Sequence, residues 1–177
     1  MKKKTLALVL ALTLLVAGVV GGTLAWLTDQ TAEVKNTFTV GDINIGLTET
    51  TADYKMVPGN TIAKDPTVTV KANSEACWLF VQVTESTDLK NFITYAIAEG
   101  WTALPGVDGV YYREVPASAA DQTFSVLAGD AVTVKSDVTR TMLETAKTDA
   151  PTLTFKAYAI QRDHFATADA AWAEVSK

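Results

Sequence analysis

The chain has 177 residues, a length that fits one domain. It carries 15 Lys and Arg against 20 Asp and Glu, a formal net charge of -5, which speaks against nucleic-acid binding because that requires a basic footprint. One cysteine, Cys77, excludes an internal disulfide framework and any multi-cysteine zinc site, and one histidine, His164, excludes a mechanism that needs two.

The N-terminus reads as a secretory leader. Lys2, Lys3 and Lys4 form a charged start, and residues 6–20 form an apolar run of signal-peptide length. Gly21 and Gly22 break the helix, and Thr23-Leu24-Ala25 places small residues at the positions a signal peptidase reads. Cleavage between Ala25 and Trp26 is expected, giving residues 1–25 as the signal peptide. Losing the three leader lysines leaves 12 basic against 20 acidic side chains, a net of -8. The competing reading is an uncleaved anchor, since residues 6–27 are long enough to span a bilayer. The Gly-Gly break and the polar Thr23 weigh against it. No cysteine ends the apolar run and no sorting motif follows Trp172, so the membrane is expected to hold the chain only through the uncut leader.

Period-two patterning dominates after Trp26. Residues 26–37 are polar and lack clear alternation, and form an N-terminal arm. Phe38 and Val40 share one parity while Ile43, Ile45 and Leu47 share the other, so a bulge is expected at Gly41-Asp42. Val57-Pro58-Gly59-Asn60 is a turn signature. Val68 and Val70 alternate with Thr67, Thr69 and Lys71 as a half-buried strand. Residues 76–84 carry Cys77, Leu79, Val81 and Val83 on one face and Trp78, Phe80 and Gln82 on the other, as a central strand covered on both sides would. Leu89, Phe92, Ile93, Ala96 and Ile97 have helical spacing, with Ser86 or Thr87 as cap and Gly100 as the terminating glycine.

Residues 101–104 and 110–115 form a hairpin around Pro105-Gly106-Val107-Asp108-Gly109. Two short strands follow, at Phe124 and Val126 and at Val132 and Val134, separated by Ala128-Gly129-Asp130. Residues 153–160 are the last strand, apolar at Leu153, Phe155, Ala157 and Ala159. A terminal helix over 168–175, capped by Thr167, docks through Trp172 and Val175. About eight strands without βαβ alternation predict an all-β, mainly antiparallel, jelly-roll-like sandwich over residues 38–177, with one or two short helices.

Catalytic patterns are sparse. His164 stands alone in Arg162-Asp163-His164-Phe165, and Cys77 sits in the most apolar strand, where a thiol behaves as a small apolar group. No zinc-peptidase, nucleophile-elbow, EF-hand or phosphate-loop motif is present. Asp29, Glu33, Asp42, Glu49 and Asp53 read as a solvated acidic surface. No catalytic residue, metal ligand or cofactor is therefore expected. Trp78, Trp101, Tyr111 and Tyr112 are either core and cross-strand pairs or a sugar-binding surface.

Three stretches carry a family resemblance. The first is Gly21-Gly22-Thr23-Leu24-Ala25-Trp26-Leu27-Thr28-Asp29 followed by Asn36-Thr37-Phe38-Thr39-Val40-Gly41-Asp42-Ile43-Asn44-Ile45. The second is Val57-Pro58-Gly59-Asn60-Thr61-Ile62-Ala63-Lys64-Asp65-Pro66. The third is Leu127-Ala128-Gly129-Asp130 with Val132-Thr133-Val134 and Tyr158-Ala159-Ile160-Gln161. Together they resemble the TasA/CalY (camelysin) family of Gram-positive biofilm-matrix proteins, most sharply over the first 45 or so residues. The resemblance implies export through a SipW-type signal peptidase and a jelly-roll sandwich that polymerises extracellularly. It also implies that the N-terminal segment of one subunit completes the sheet of the next. The donor segment is then the arm bearing Trp26, Leu27, Val34, Phe38 and Val40, and the partner a further copy or a related matrix protein.

The expected function is thus a non-enzymatic structural protein of the extracellular matrix or cell surface. Two alternatives stand beside it. One is a monomeric secreted module binding wall glycan or a host surface. The other is a camelysin-like peptidase, for which the sequence offers no metal motif.

Overall fold

Ten short strands, all paired antiparallel, build the protein in a computed structural model that describes residues 42–50 and 55–177. These strands are β1 (Ile45–Thr48), β2 (Thr61–Ala63), β3 (Thr67–Val70), β4 (Cys77–Glu85), β5 (Ile93–Thr94), β6 (Thr102–Ala103), β7 (Val110–Val115), β8 (Gln122–Ser125), β9 (Ala131–Val134) and β10 (Leu153–Gln161). Three helices join them: α1 (Leu89–Phe92), α2 (Arg140–Ala146) and α3 (Ala168–Val175). All lie in one compact unit, Val40–Lys177. The leader, the arm and the parity switch at Gly41 lie outside the described residues. Among the described residues no helix is long and apolar enough to cross a membrane.

The strands form two layers. One is the sheet β10-β4-β7-β6. The other is made of two ladders, β1-β3-β8 and β2-β9-β5. They meet where β2 runs on into β3 and β8 into β9, and the backbone bonds Lys64 N to Asp130 O (2.7 Å) and Val126 N to Pro66 O (2.9 Å) carry the pairing across the break. Side-chain parity also survives the break. Ile62, Lys64, Pro66, Val68 and Val70 point inward, whereas Thr61, Ala63, Asp65, Thr67 and Thr69 point out. The expected mainly antiparallel sandwich is what the chain forms.

Strand β4 is the spine, and its two apolar faces are explained by two cores. Cys77, Leu79, Val81 and Val83 face Val68 and Val70 across the sandwich. Trp78 and Phe80 face outward and are covered by α3. Thr167 caps α3 by accepting a hydrogen bond from Ala170 N at 3.3 Å. Trp172 then packs against Phe80 (ring centroids 5.3 Å apart) and edge-on against Tyr158 (5.1 Å). Strand β10 pairs with β4 along its whole length, from Leu153 opposite Glu85 to Gln161 opposite Cys77.

The helix expected over 89–97 does not form beyond one turn. Residues Leu89–Phe92 are helical, but Ile93 is extended (φ -130°, ψ 161°) and starts β5 against Val134. Two β-branched residues, Ile93 and Thr94, prefer the pleated surface that β9 offers. Ile97 then pairs with Leu127. The expected caps also act differently. Ser86 Oγ accepts from Thr152 N (2.9 Å), Asp88 precedes the helix without a side-chain cap, and Gly100 (φ +84°) turns the chain into β6. Besides β5, two elements were not expected. One is the three-residue β2; the other is α2, capped by Thr139 Oγ1 on Met142 N (3.3 Å).

Candidate functional site: the seam between β1 and β10

A two-layer sandwich has two open sides, and here they differ. On one side, the Trp101 indole N–H donates to Ser125 O at 2.9 Å and so occupies the edge of β8. The Arg113 guanidinium lies over the Phe124 ring (3.9 Å) and the Trp101 ring (5.3 Å). Burial lowers its pKa below the usual guanidinium value. β6, the edge strand here, is only two residues long, one way proteins blunt an edge. Gly100 makes room for the stack, since a Cβ there would sit 2.9 Å from Arg113 Nη2. The stack caps this edge, although Phe124 and Tyr111 remain half-buried there.

The other side is the seam between β1 and β10. Among the described residues β10 pairs with β4 alone and β1 with β3 alone, so both present an edge there. The inward side chains at the seam are Ile43 and Ile45 from the β1 segment and Leu153, Phe155, Ala157 and Ala159 from β10. All six are half-buried, whereas Val68, Val70, Leu79 and Val81, one strand further in, are at most 1% exposed. Apolar core residues therefore line a nine-residue edge without full cover.

An apolar groove of about 410 Å³ opens where β10 begins, lined by Met56, Ile62, Leu89, Ile93, Val132 and Leu153. Lys64 forms part of its wall. Lys64 is only 7% exposed, and its Nζ lies 2.6 Å from Glu49 Oε1 and 5.4 Å over the Phe155 ring. A buried ammonium so paired keeps its charge compensated. Because β1 and β10 already approach within 8 Å of each other, an extended segment with alternate apolar side chains would add along one of these edges, with the groove beside it, rather than between the two. Main-chain hydrogen bonds would supply affinity and the half-covered core positions would supply register.

The residues singled out by sequence distribute as follows. Ala25 and Trp26 of the cleavage site, and Trp26, Leu27, Val34, Phe38 and Val40 of the arm, lie outside the described residues. Cys77 is fully buried, and burial pushes its thiol up to about 11. His164 is exposed in the turn Arg162–His164. The four aromatics split between two cores and do not form one platform. Trp101 and Tyr111 face the sandwich interior, while Trp78 and Tyr112 sit in the cluster under α3, 5.8 Å apart. The Trp78 indole N–H is used internally, donating to Phe165 O at 3.1 Å. Among the described residues no group of three His, Cys, Asp or Glu side chains could hold a metal ion. The seam itself was not singled out by sequence. Its signal was the long alternation of Leu153, Phe155, Ala157 and Ala159, which reads equally as an interior strand.

No protein-family model, no curated protein and no solved structure matches this chain.

Proposed function

We propose that this protein is a secreted structural subunit of an extracellular matrix or cell surface. In this reading the N-terminal arm, freed by cleavage after Ala25, adds as a strand at the β1–β10 seam of a neighbouring copy. The observation that carries the proposal is the nine-residue edge of β10, which pairs with β4 alone and presents half-buried apolar residues, whereas the edge on the other side is only two residues long and is capped by Trp101 and Arg113. The resemblance of the leader and arm to the TasA/CalY family supports the same reading. Arm and seam are different surfaces, so the contact is heterologous and propagates into an open filament unless the rotation closes. Until the leader is cut, Trp26 stays tethered to a membrane-held segment, so a SipW-type cleavage would also gate assembly.

The test compares residues 26–177 with a chain beginning at Phe38, both concentrated and imaged by negative-stain electron microscopy. Filaments from the first and none from the second are expected. Monomers from both would overturn the proposal and turn attention to glycan or partner binding by a soluble module.

A further inference from the structure

Among the described residues Lys64 is the only charged side chain in the core, 7% exposed. Its Nζ lies 2.6 Å from Glu49 Oε1, over the Phe155 ring and on the wall of the apolar groove. The other four ion pairs among the described residues are surface contacts, with every partner at least 44% exposed. A third polar group stands beside the buried pair. Ala63 pairs with Ala131, so Lys64 falls opposite Asp130, and Lys64 N donates to Asp130 O at 2.7 Å. Asp130 has φ +48°, and its Oδ1 is buried with no hydrogen-bond partner among the described residues. A buried oxygen without a partner is costly, which calls for a use.

We propose that Lys64 and Glu49 condense within the folded chain to an isopeptide bond, an amide between the two side chains. One proton passing along the 2.6 Å contact turns ammonium and carboxylate into amine and carboxylic acid, and an apolar surrounding favours that neutral pair. The amine lone pair forms the new bond from Lys64 Nζ to Glu49 Cδ. The Cδ–OH bond breaks, and the hydroxyl leaves as water with a proton shed by Nζ. Nothing is oxidised or reduced. Asp130 carries that proton from the amine to the departing hydroxyl.

Geometry supplies what free side chains in water lack. The carboxyl carbon, one bond behind Oε1, stands at roughly the 3–3.5 Å of a near-attack contact, where effective molarities reach roughly 10⁵–10⁸ M. The bond also joins parts that little else joins. Glu49 follows β1 and Lys64 follows β2, so the amide staples the β1-β3-β8 ladder to the β2-β9-β5 ladder across their break. It closes residues 49–64 into a loop, which restricts the unfolded chain and fixes the edge strand β1. The bond lies within one chain and does not rest on the function proposed above.

The test is the intact mass of the purified, folded chain after prolonged incubation, with peptide mapping. Wild type is expected to weigh one water less than its sequence requires, to resist trypsin after Lys64, and to yield a branched peptide joining Glu49 to Lys64. Lys64→Arg, which keeps a cation for Glu49 but no nucleophilic amine, and Glu49→Ala should both show full mass. Asp130→Asn should lose the water more slowly than wild type. Wild type should also unfold at a higher urea concentration than Lys64→Arg. Wild type at full mass and cut after Lys64 would overturn the proposal. So would a water loss that persists in Lys64→Arg or maps to another pair, and an unchanged rate in Asp130→Asn would overturn the proton role of Asp130.

Discussion

Replacing Trp172 by alanine tests whether α3 belongs to the cooperative fold. The indole is half-buried and packs on Phe80, which is fully buried, and edge-on to Tyr158. A fully buried Trp or Phe cut to Ala costs about 3–5 kcal/mol. Partial exposure of Trp172 lowers that to about 2–3 kcal/mol, of which the two ring contacts supply about 1–2 kcal/mol. For a chain of this size that corresponds to a fall in Tm of about 4–12 °C. Urea denaturation followed by far-ultraviolet circular dichroism reads the change as a lower midpoint at constant m-value. Trp172→Phe, which keeps one ring against Phe80, should recover more than half of the loss. The cluster under α3 lies on the face of β4 opposite the sandwich core, so folded Trp172→Ala should assemble as wild type does. A loss below about 1 kcal/mol would refute the reasoning, because α3 would then be an appendage rather than the cover of the second face.

Two further outcomes follow from the same packing. Gly109 has φ +73°, a Cβ there would press on the Val83 carbonyl oxygen, and Val83 N donates to Gly109 O at 2.7 Å. Gly109→Ala should cost about 2 kcal/mol or more, measured by thermal melting, because left-handed strain and the clash act together. Cys77 should resist a thiol reagent at about pH 8 in the native protein and react fully in denaturant. Because burial raises its folded value from 9.0 to about 11, its contribution to stability is complete below pH 9 and fades as pH rises through 11. A Cys77→Ser variant, compared by denaturation across that range, should lack this alkaline decline.

Legibility from the sequence followed the length and symmetry of each pattern. In β4 the alternation of Cys77, Leu79, Val81 and Val83 against Trp78 and Phe80 runs long enough to name both faces, and both were covered as expected. Thr167 and Trp172 marked α3 because cap and docking residue lie within one short helix. The segment after Leu89 misled because two periodicities coincide. Leu89, Phe92 and Ile93 are one helical turn, and Ile93, Tyr95 and Ile97 alternate as a strand. Counting apolar positions at helical spacing absorbs both, and only the β-branched pair Ile93-Thr94 argues for the strand. Helix α2 escaped notice because its apolar face is limited to Met142, Leu143 and Ala146. The seam could not be read at all, since an edge is a property of which strand has no neighbour. Leu153, Phe155, Ala157 and Ala159 look the same inside a sheet or at its border.

The most direct measurement is hydrogen exchange of β10 in a chain shortened to begin at Phe38, with and without a synthetic peptide spanning residues 26–40. If the seam accepts the arm, the peptide should slow exchange at alternate amides of Leu153–Gln161, those facing away from β4, or at the free edge of Ile45–Thr48. Peptide binding that protects another edge, or no protection at saturating peptide, would contradict the account.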